Sequence, residues 1–287
     1  MLTRRKLLAL AIAAAAAPAG AASAQRTLKA IHKRIGGRLG VHVLDSQSGK
    51  RIKYDDDARY AMASTFKLPL AAALLWQVDR GAFPLTRTLP IAREQLLSNS
   101  PVVEEQLKAG AVAMTISDLC AAVIVRSDNA AANVLLAGIG GPAGFNQFMR
   151  SIGDETTRLD RMELDLNSNL PGDARDTTTP HAMVESMLRI FTQDVLKLPS
   201  RALLIDWMSA ARTGMDRVRA GLPKTWGAGD KTGSGVNGAI NDLCIGYPPG
   251  RRPIFIAVYM SESQLDIKAL SAAHAEIGGI VGEEKWP

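Results

Sequence analysis

The sequence predicts an α/β (α+β) fold: an antiparallel five-stranded sheet built from both ends of the chain and flanked by helices, with an all-helical segment inserted between. Three observations predict it. Strand patterns lie near both termini, helical periodicity fills the middle, and a helical run closes the chain.

Thr27 to Ile35 reads as a helix. Leu39 to Asp45 reads as a strand, Gln47-Ser48-Gly49-Lys50 turns, and Arg51 to Tyr54 returns as a second strand. Apolar residues then recur at helical spacing from Leu68 to Val78, Ile116 to Leu136, Phe145 to Ile152 and His181 to Phe191. Thr179 suits the cap of the last, and Pro180 suits its first turn. Beyond residue 220 strands return: Gly227 to Val236, Ile240 to Tyr247 and Ile254 to Met260. Asn237-Gly238 is a tight hairpin signal, and Pro248-Pro249-Gly250 turns again. Leu265 to Gly282 closes the chain as a helix. The expected organisation is an export segment over 1–24, a sheet subdomain from 25–63 and 210–287, and a helical subdomain over 64–209.

The export reading rests on Arg4, Arg5 and Lys6, the apolar run Leu7 to Ala17, and the small residues Ala22-Ser23-Ala24. The run is shorter than the roughly 20 residues of a membrane span. Thr3-Arg4-Arg5-Lys6-Leu7-Leu8 fits a twin-arginine signal, and an ordinary secretory signal with two adjacent arginines fits as well. The mature chain is expected to start near Gln25, outside the cytoplasm, with no later membrane segment. Part of the formal charge of +6 belongs to that signal; without its three basic residues, 31 basic residues face 28 acidic ones. No basic run is interleaved with aromatics, so nucleic acid is not an expected partner. The four histidines show no ligand spacing, so neither metal nor cofactor is expected. An exported protein can pair its two cysteines. Cys120 lies in an apolar helical stretch and Cys244 in an apolar strand, which favours two separately buried thiols.

Ser64-Thr65-Phe66-Lys67 opens an apolar helix, where residues three apart share a face. A serine hydroxyl needs a base to become a nucleophile, and a lysine amine serves if burial or nearby positive charge lowers its pKa. The helix start also supplies free N–H groups for a developing oxyanion. Read alone, the pair fits a helix cap and a solvated lysine better than a catalytic couple. The apolar residues around it place Lys67 in a buried setting, and companions follow. Ser127-Asp128-Asn129 reads by itself as a polar turn, and Lys231-Thr232-Gly233 as a strand lysine before a glycine bulge.

Together, S-x-x-K, S-D-N and K-T-G in this order resemble the signature of penicillin-binding proteins and class A β-lactamases. Arg161-Met162-Glu163-Leu164-Asp165-Leu166-Asn167 resembles the Ω-loop of the latter, here 158–176, with Arg161 and Asp176 in the positions of the charged pair at its neck. Trp207-Met208, Leu222-Pro223 and the Asn237-Gly238 hairpin also match, so the resemblance covers essentially the whole mature chain.

The resemblance implies a serine hydrolase that opens the amide of penicillins and cephalosporins through an acyl-enzyme and confers β-lactam resistance, with its site between the two subdomains. It implies Ser64 as nucleophile, Lys67 or Glu163 as the base for acylation, and Ser127 as the proton relay to the lactam nitrogen. The N–H groups of Ser64 and Ser234 form the oxyanion hole, and Asn129 holds the acylamino side chain. Lys231, Thr232, Gly233 and Ser234 belong to the strand that receives the substrate carboxylate. Glu163 and Asn167 position and activate the deacylating water. The implied protein is a periplasmic monomer whose partners are small β-lactams. D-alanyl-D-alanine peptidases share the Ser/Lys chemistry, but have no need of Glu163 with Asn167. A β-lactam sensor domain would need an anchor or a transduction domain, and neither is expected here.

Several positions depart from the family pattern. Ile240 stands where many members carry a carboxylate-binding arginine, and Arg217 stands where others supply it from another segment; Arg217 is expected to substitute. Ala71 stands where some members carry the disulfide partner of the cysteine matching Cys120, so that bridge is absent, and Ala63 with Gly235 stand where some carbapenem-hydrolysing members have a cysteine pair. Ala111-Val112-Ala113 reads as a small loop insertion, and Asn99 replaces a residue that is often aromatic at the mouth of the site.

Overall fold

The computed structural model describes residues 19–287, so most of the expected export segment lies outside the described residues. Helix α1 (Ala19–Ile35) leads into β1 (Arg38–Asp45), β2 (Arg51–Tyr54) and the short β3 (Tyr60–Ala61). A 3-10 turn, Ala63–Phe66, feeds α2 (Lys67–Asp79), followed by β4 (Thr88–Pro90), α3 (Pro101–Lys108) and β5 (Ala113–Thr115). Then come α4 (Ile116–Val125), α5 (Asn129–Gly138), α6 (Gly141–Ser151), β6 (Thr177–Thr178), α7 (Pro180–Thr192) and α8 (Leu198–Ser209). The chain closes with α9 (Val218–Gly221), β7 (Gly227–Ser234), β8 (Ile240–Tyr247), β9 (Ile254–Ser261) and α10 (Ile267–Glu283).

The main sheet has five strands in the order β2-β1-β9-β8-β7, all antiparallel, as the sequence predicts. Its central strand β9 is buried along its whole length. Side chains alternate across it. Phe255, Ala257 and Tyr259 join the core beneath α2, α4, α5 and α7, whereas Ile254, Ile256 and Val258 join the core under α1 and α10. Two-sided burial explains why β9 reads as an unbroken apolar run. Cys120 and Cys244 belong to different cores and are both free and buried.

The structure departs from the sequence reading in five places. Within the described residues the first helix already runs from Ala19, upstream of Thr27, and includes Ala22-Ser23-Ala24. The stretch from Ile116 to Leu136 is two helices, α4 and α5. The break falls where Ser127 takes a left-handed φ of 54°. Asp128 then caps α5 by accepting from Ala131 N, and its other oxygen accepts from Val102 N and Val103 N at the start of α3. One carboxylate therefore satisfies two helix starts. The β7–β8 connection keeps the Asn237-Gly238 turn, with φ of 51° and 67°, but adds Gly235 as a bulge, so β7 ends at Ser234. Ala113 of the expected insertion pairs with Pro90 in β4–β5, leaving Ala111 and Val112 in the loop. Helices α3 and α8 and the two small sheets were not legible in the periodicity.

Candidate active site

The site forms where the 3-10 turn at Ser64, the α4–α5 junction, the 158–176 loop and β7 converge around a cavity of about 840 Å³. Ser64, Ser127, Asn129, Asn167, Arg217, Thr232 and Ser234 line it, and Lys67, Glu163 and Lys231 lie buried beside them.

Ser64 is the second residue of the turn, and Ala63 before it holds a left-handed φ of 44°. Ala63, Asn99, Ser127 and Asp176 are all non-glycine residues at positive φ around this one site. Such conformations persist only where surrounding structure enforces them. The turn sits directly under β7: a Cβ on Gly233 would lie 2.7 Å from Met62 O and 3.1 Å from Thr65 N. Glycine is what lets the K-T-G strand approach the Ser64 turn.

Lys67 Nζ is fully buried and meets Ser64 Oγ at 3.0 Å, Asn129 Oδ1 at 2.5 Å, Ser127 O at 2.9 Å and Glu163 Oε1 at 2.9 Å. Burial pushes its pKa below the usual lysine value, while the Glu163 carboxylate opposes that shift. Lys231, also fully buried, donates to Ser127 Oγ at 3.0 Å and to Thr232 O at 2.7 Å. Burial first, then the positive charge of Lys67, hold it well below its ordinary pKa. Ser127 Oγ thus lies between two amines, 3.0 Å from Lys231 and 3.5 Å from Lys67.

Glu163 Oε1 accepts from Ser64 Oγ at 3.5 Å, and its Oε2 accepts from Asn167 Nδ2 at 2.6 Å. Arg161 and Asp176 form the expected neck: Arg161 Nε pairs with Asp176 Oδ2 at 2.6 Å, and Asp176 Oδ1 accepts from Asp160 N and Arg161 N. Arg217, only 4% exposed, donates to Gly233 O, Asn241 O and Ser234 Oγ at 3.0, 2.7 and 2.8 Å. The fold therefore gathers the S-x-x-K, S-D-N and K-T-G residues with Glu163, Asn167 and Arg217 around one cavity.

A scan of protein families matches the β-lactamase enzyme family over residues 23–284. The chain is 43% identical over 246 residues to the carbapenem-hydrolyzing β-lactamase KPC of Klebsiella oxytoca, covering 85% of this chain and 83% of that one. It is 40% identical over 278 residues to β-lactamase CTX-M-6 of Salmonella typhimurium, covering 95% and 94%. Among solved structures, an ancestral class A β-lactamase of Gram-negative bacteria superposes with a TM-score of 0.87 at 49% identity, covering 90% of this chain and 98% of that one. A β-lactamase from Xanthomonas campestris superposes with a TM-score of 0.89 at 40% identity, covering 92% and 98%.

The chain belongs to the class A β-lactamases.

The enzyme is thus a serine hydrolase of β-lactams, and its structure adds residues the motifs did not announce. Asn133 donates to Glu163 O and accepts from Glu163 N, both at 2.9 Å, and so grips the loop at the carboxylate itself. Thr213 Oγ1 accepts from Thr232 Oγ1 at 2.7 Å on the cavity wall. Asn99 donates to Ser127 O at 2.9 Å, so the residue at the mouth braces the S-D-N segment. Sequence spacing carries no signal for these, because each partner lies 19 to 30 residues away. Away from the cavity, His42 and His181 stack at 5.0 Å, paired with Asp56 and Asp57 respectively. Asp56, Asp57 and His181 bring ligand-type atoms within 4.8 Å of one another, a proximity the histidine spacing did not suggest.

Proposed function

We propose that these residues divide the work of β-lactam hydrolysis as follows. Ser64 Oγ attacks the lactam carbonyl carbon while its proton passes to Lys67 or, through a water, to Glu163. The N–H groups of Ser64 and Ser234 hold the oxyanion. The C–N bond breaks, and Ser127 hands its proton to the departing nitrogen as it takes one from Lys67, so the proton drawn from Ser64 ends on the nitrogen. Its place between Lys67 and Lys231 supports this role. Lys231, Thr232, Ser234 and Arg217 receive the substrate carboxylate, and Asn129 the acylamino group. In the second half, Glu163 takes a proton from a water, the water oxygen attacks the ester carbon, and the C–Oγ bond breaks as the proton returns to Ser64.

One observation carries the reading. A carboxylate lies 3.5 Å from the nucleophile with Asn167 on its other oxygen, an arrangement suited to holding a hydrolytic water. Penicillins and cephalosporins are the proposed substrates, and resistance to them the outcome. The enzyme acts as a periplasmic monomer, exported with loss of residues 1–24, without nucleic acid or cofactor. Among the described residues no helix is long and apolar enough to cross a membrane. The sheet portion, 25–63 with 210–287, and the helical portion, 64–209, are proposed as two subdomains that meet at the cavity. Steady-state turnover of a chromogenic cephalosporin tests the function: many turnovers support it, and one stoichiometric burst without turnover overturns it.

A further inference from the structure

The 158–176 loop is closed at its neck by Arg161 with Asp176, whose carbonyl oxygen accepts from Met62 N at 2.9 Å, and is gripped at Glu163 by Asn133 of α5. Its hold on the β7–β8 turn and the end of β9 is different. Asn167 makes only one long contact there, its carbonyl oxygen accepting from Val236 N at 3.4 Å. Two residues on, Asn169 makes the short ones. Its Nδ2 donates to Val236 O at 3.1 Å, Asn237 O at 2.9 Å and Ser261 Oγ at 3.1 Å. Its Oδ1 accepts from Ser261 Oγ at 3.1 Å, and its carbonyl oxygen accepts from Asn237 Nδ2 at 3.1 Å.

The other side of this staple is a fixed platform. Asn237 O also accepts from Glu262 N at 2.8 Å, tying the β7–β8 turn to the end of β9. A Cβ on Gly238 would lie 2.7 Å from Ser263 backbone atoms, so the turn is pressed against that strand end. Asn169 itself sits at φ 41°, a conformation that asparagine tolerates better than most residues.

We propose that Asn169 is a positioning residue for deacylation: its side chain fastens the loop to the β7–β8 turn and to β9, and so fixes the height of Glu163 and Asn167 above Ser64. The inference rests on the reading of Glu163 and Asn167 as the deacylation pair. With Lys67 taken as the base for acylation, that step draws on Ser64, Lys67 and Ser127, which are held by the 3-10 turn, the start of α2 and the α4–α5 junction, so it tolerates a loosened staple. Deacylation does not, because the water needs the carboxylate and the amide together. Misplacement by an ångström costs up to about 100-fold in rate.

The test measures acylation and deacylation separately, by rapid quench and intact mass on a penicillin, in Asn169→Gly, Asn169→Asp and Ser261→Ala. Glycine keeps the positive φ and removes the side chain, and aspartate keeps its shape without the amide donors. The deacylation rate is expected to fall about 5- to 50-fold in both Asn169 variants and less in Ser261→Ala. Acylation kcat/KM is expected to stay within about 2-fold, so acyl-enzyme accumulates. Unchanged deacylation in all folded variants overturns the proposal, as does a parallel fall in both steps. Should Asn169→Gly fail to fold, Asn169→Asp and Ser261→Ala decide by the same criterion. Glu163→Ala serves as reference. If it accumulates acyl-enzyme while the Asn169 variants do not, the staple alone is wrong; if it turns over normally, the deacylation assignment and the staple fall together.

Discussion

Lys67 Nζ lies 2.9 Å from Glu163 Oε1, with both side chains wholly buried and Ser64 Oγ 3.0 Å from the amine. Ser64 therefore has two candidate bases within 3.5 Å, and the proposed second half of the reaction uses only Glu163. Glu163→Ala is expected to acylate and then stall, visible as a stable mass adduct on penicillin, because the hydrolytic water loses its base. Normal turnover by that variant would remove Glu163 from deacylation.

Arg217 combines two duties. Its guanidinium straps Gly233 O to Asn241 O and reaches Ser234 Oγ at the cavity. Burial lowers its pKa, and the charges of Asp242, Asp216 and Asp230 oppose that shift. Arg217→Ala is expected to raise KM for benzylpenicillin by roughly 10-fold or more, the worth of one charge-assisted hydrogen bond, and to weaken inactivation by clavulanate. If neither quantity moves, Arg217 is a strap and not a carboxylate ligand.

Gly233 is the contact point between β7 and the Ser64 turn. Gly233→Ala puts a methyl 2.7 Å from Met62 O, where only backbone can yield. Overpacking of this kind costs about 1–3 kcal/mol, or a fall in melting temperature of roughly 2–12 °C. Calorimetry and kcat/KM are both expected to fall. A variant with unaltered melting temperature and activity would show that the close approach is dispensable.

His274 is fully buried on α10, its Nδ1 bonded to Leu270 O at 2.9 Å. Burial, then the charge of Arg217, push its pKa from 6.5 down to about 3. The folded state therefore keeps this imidazole neutral while the unfolded chain takes up its proton. The stabilising contribution is full above about pH 6.5 and is lost as the pH falls from there toward 3. The slope for one group is at most about 1.4 kcal/mol per pH unit. His274→Leu removes this dependence, so the stability deficit of the variant is expected to narrow between pH 7 and pH 5 in urea unfolding. A deficit that is constant with pH would show that His274 does not titrate in this way.

The five strands of the main sheet were legible because each is short and bounded by turn residues, and because burial imposes period-two or continuous apolar patterns. Thr179 with Pro180 announced the start of α7, and the cap bond from Ala182 N to Thr179 Oγ1 at 3.1 Å is there. The break between α4 and α5 was legible only in part: the apolar spacing runs from Ile116 to Leu136, but Ser127-Asp128-Asn129 reads as a polar turn, and the chain breaks there with Ser127 at a left-handed φ. Helix α8 has no apolar stripe of its own to read, because its buried residues Ser200, Leu204, Trp207 and Met208 are mixed in character.

The sequence by itself determined which residues are candidates for the chemistry. Ser64, Lys67, Ser127, Glu163, Asn167 and Lys231 stand in recognisable local motifs, and motif spacing is a property of the chain. Only the tertiary structure decided how those motifs meet. The contacts that set the site join residues far apart in sequence, from Lys67 to Asn129, Asn133 to Glu163, Asn169 to Ser261 and Arg217 to Asn241. Local pattern reports burial and backbone preference. It cannot report which buried polar group will partner which, because that follows from how helices and sheet pack and from the need to satisfy every buried donor and acceptor.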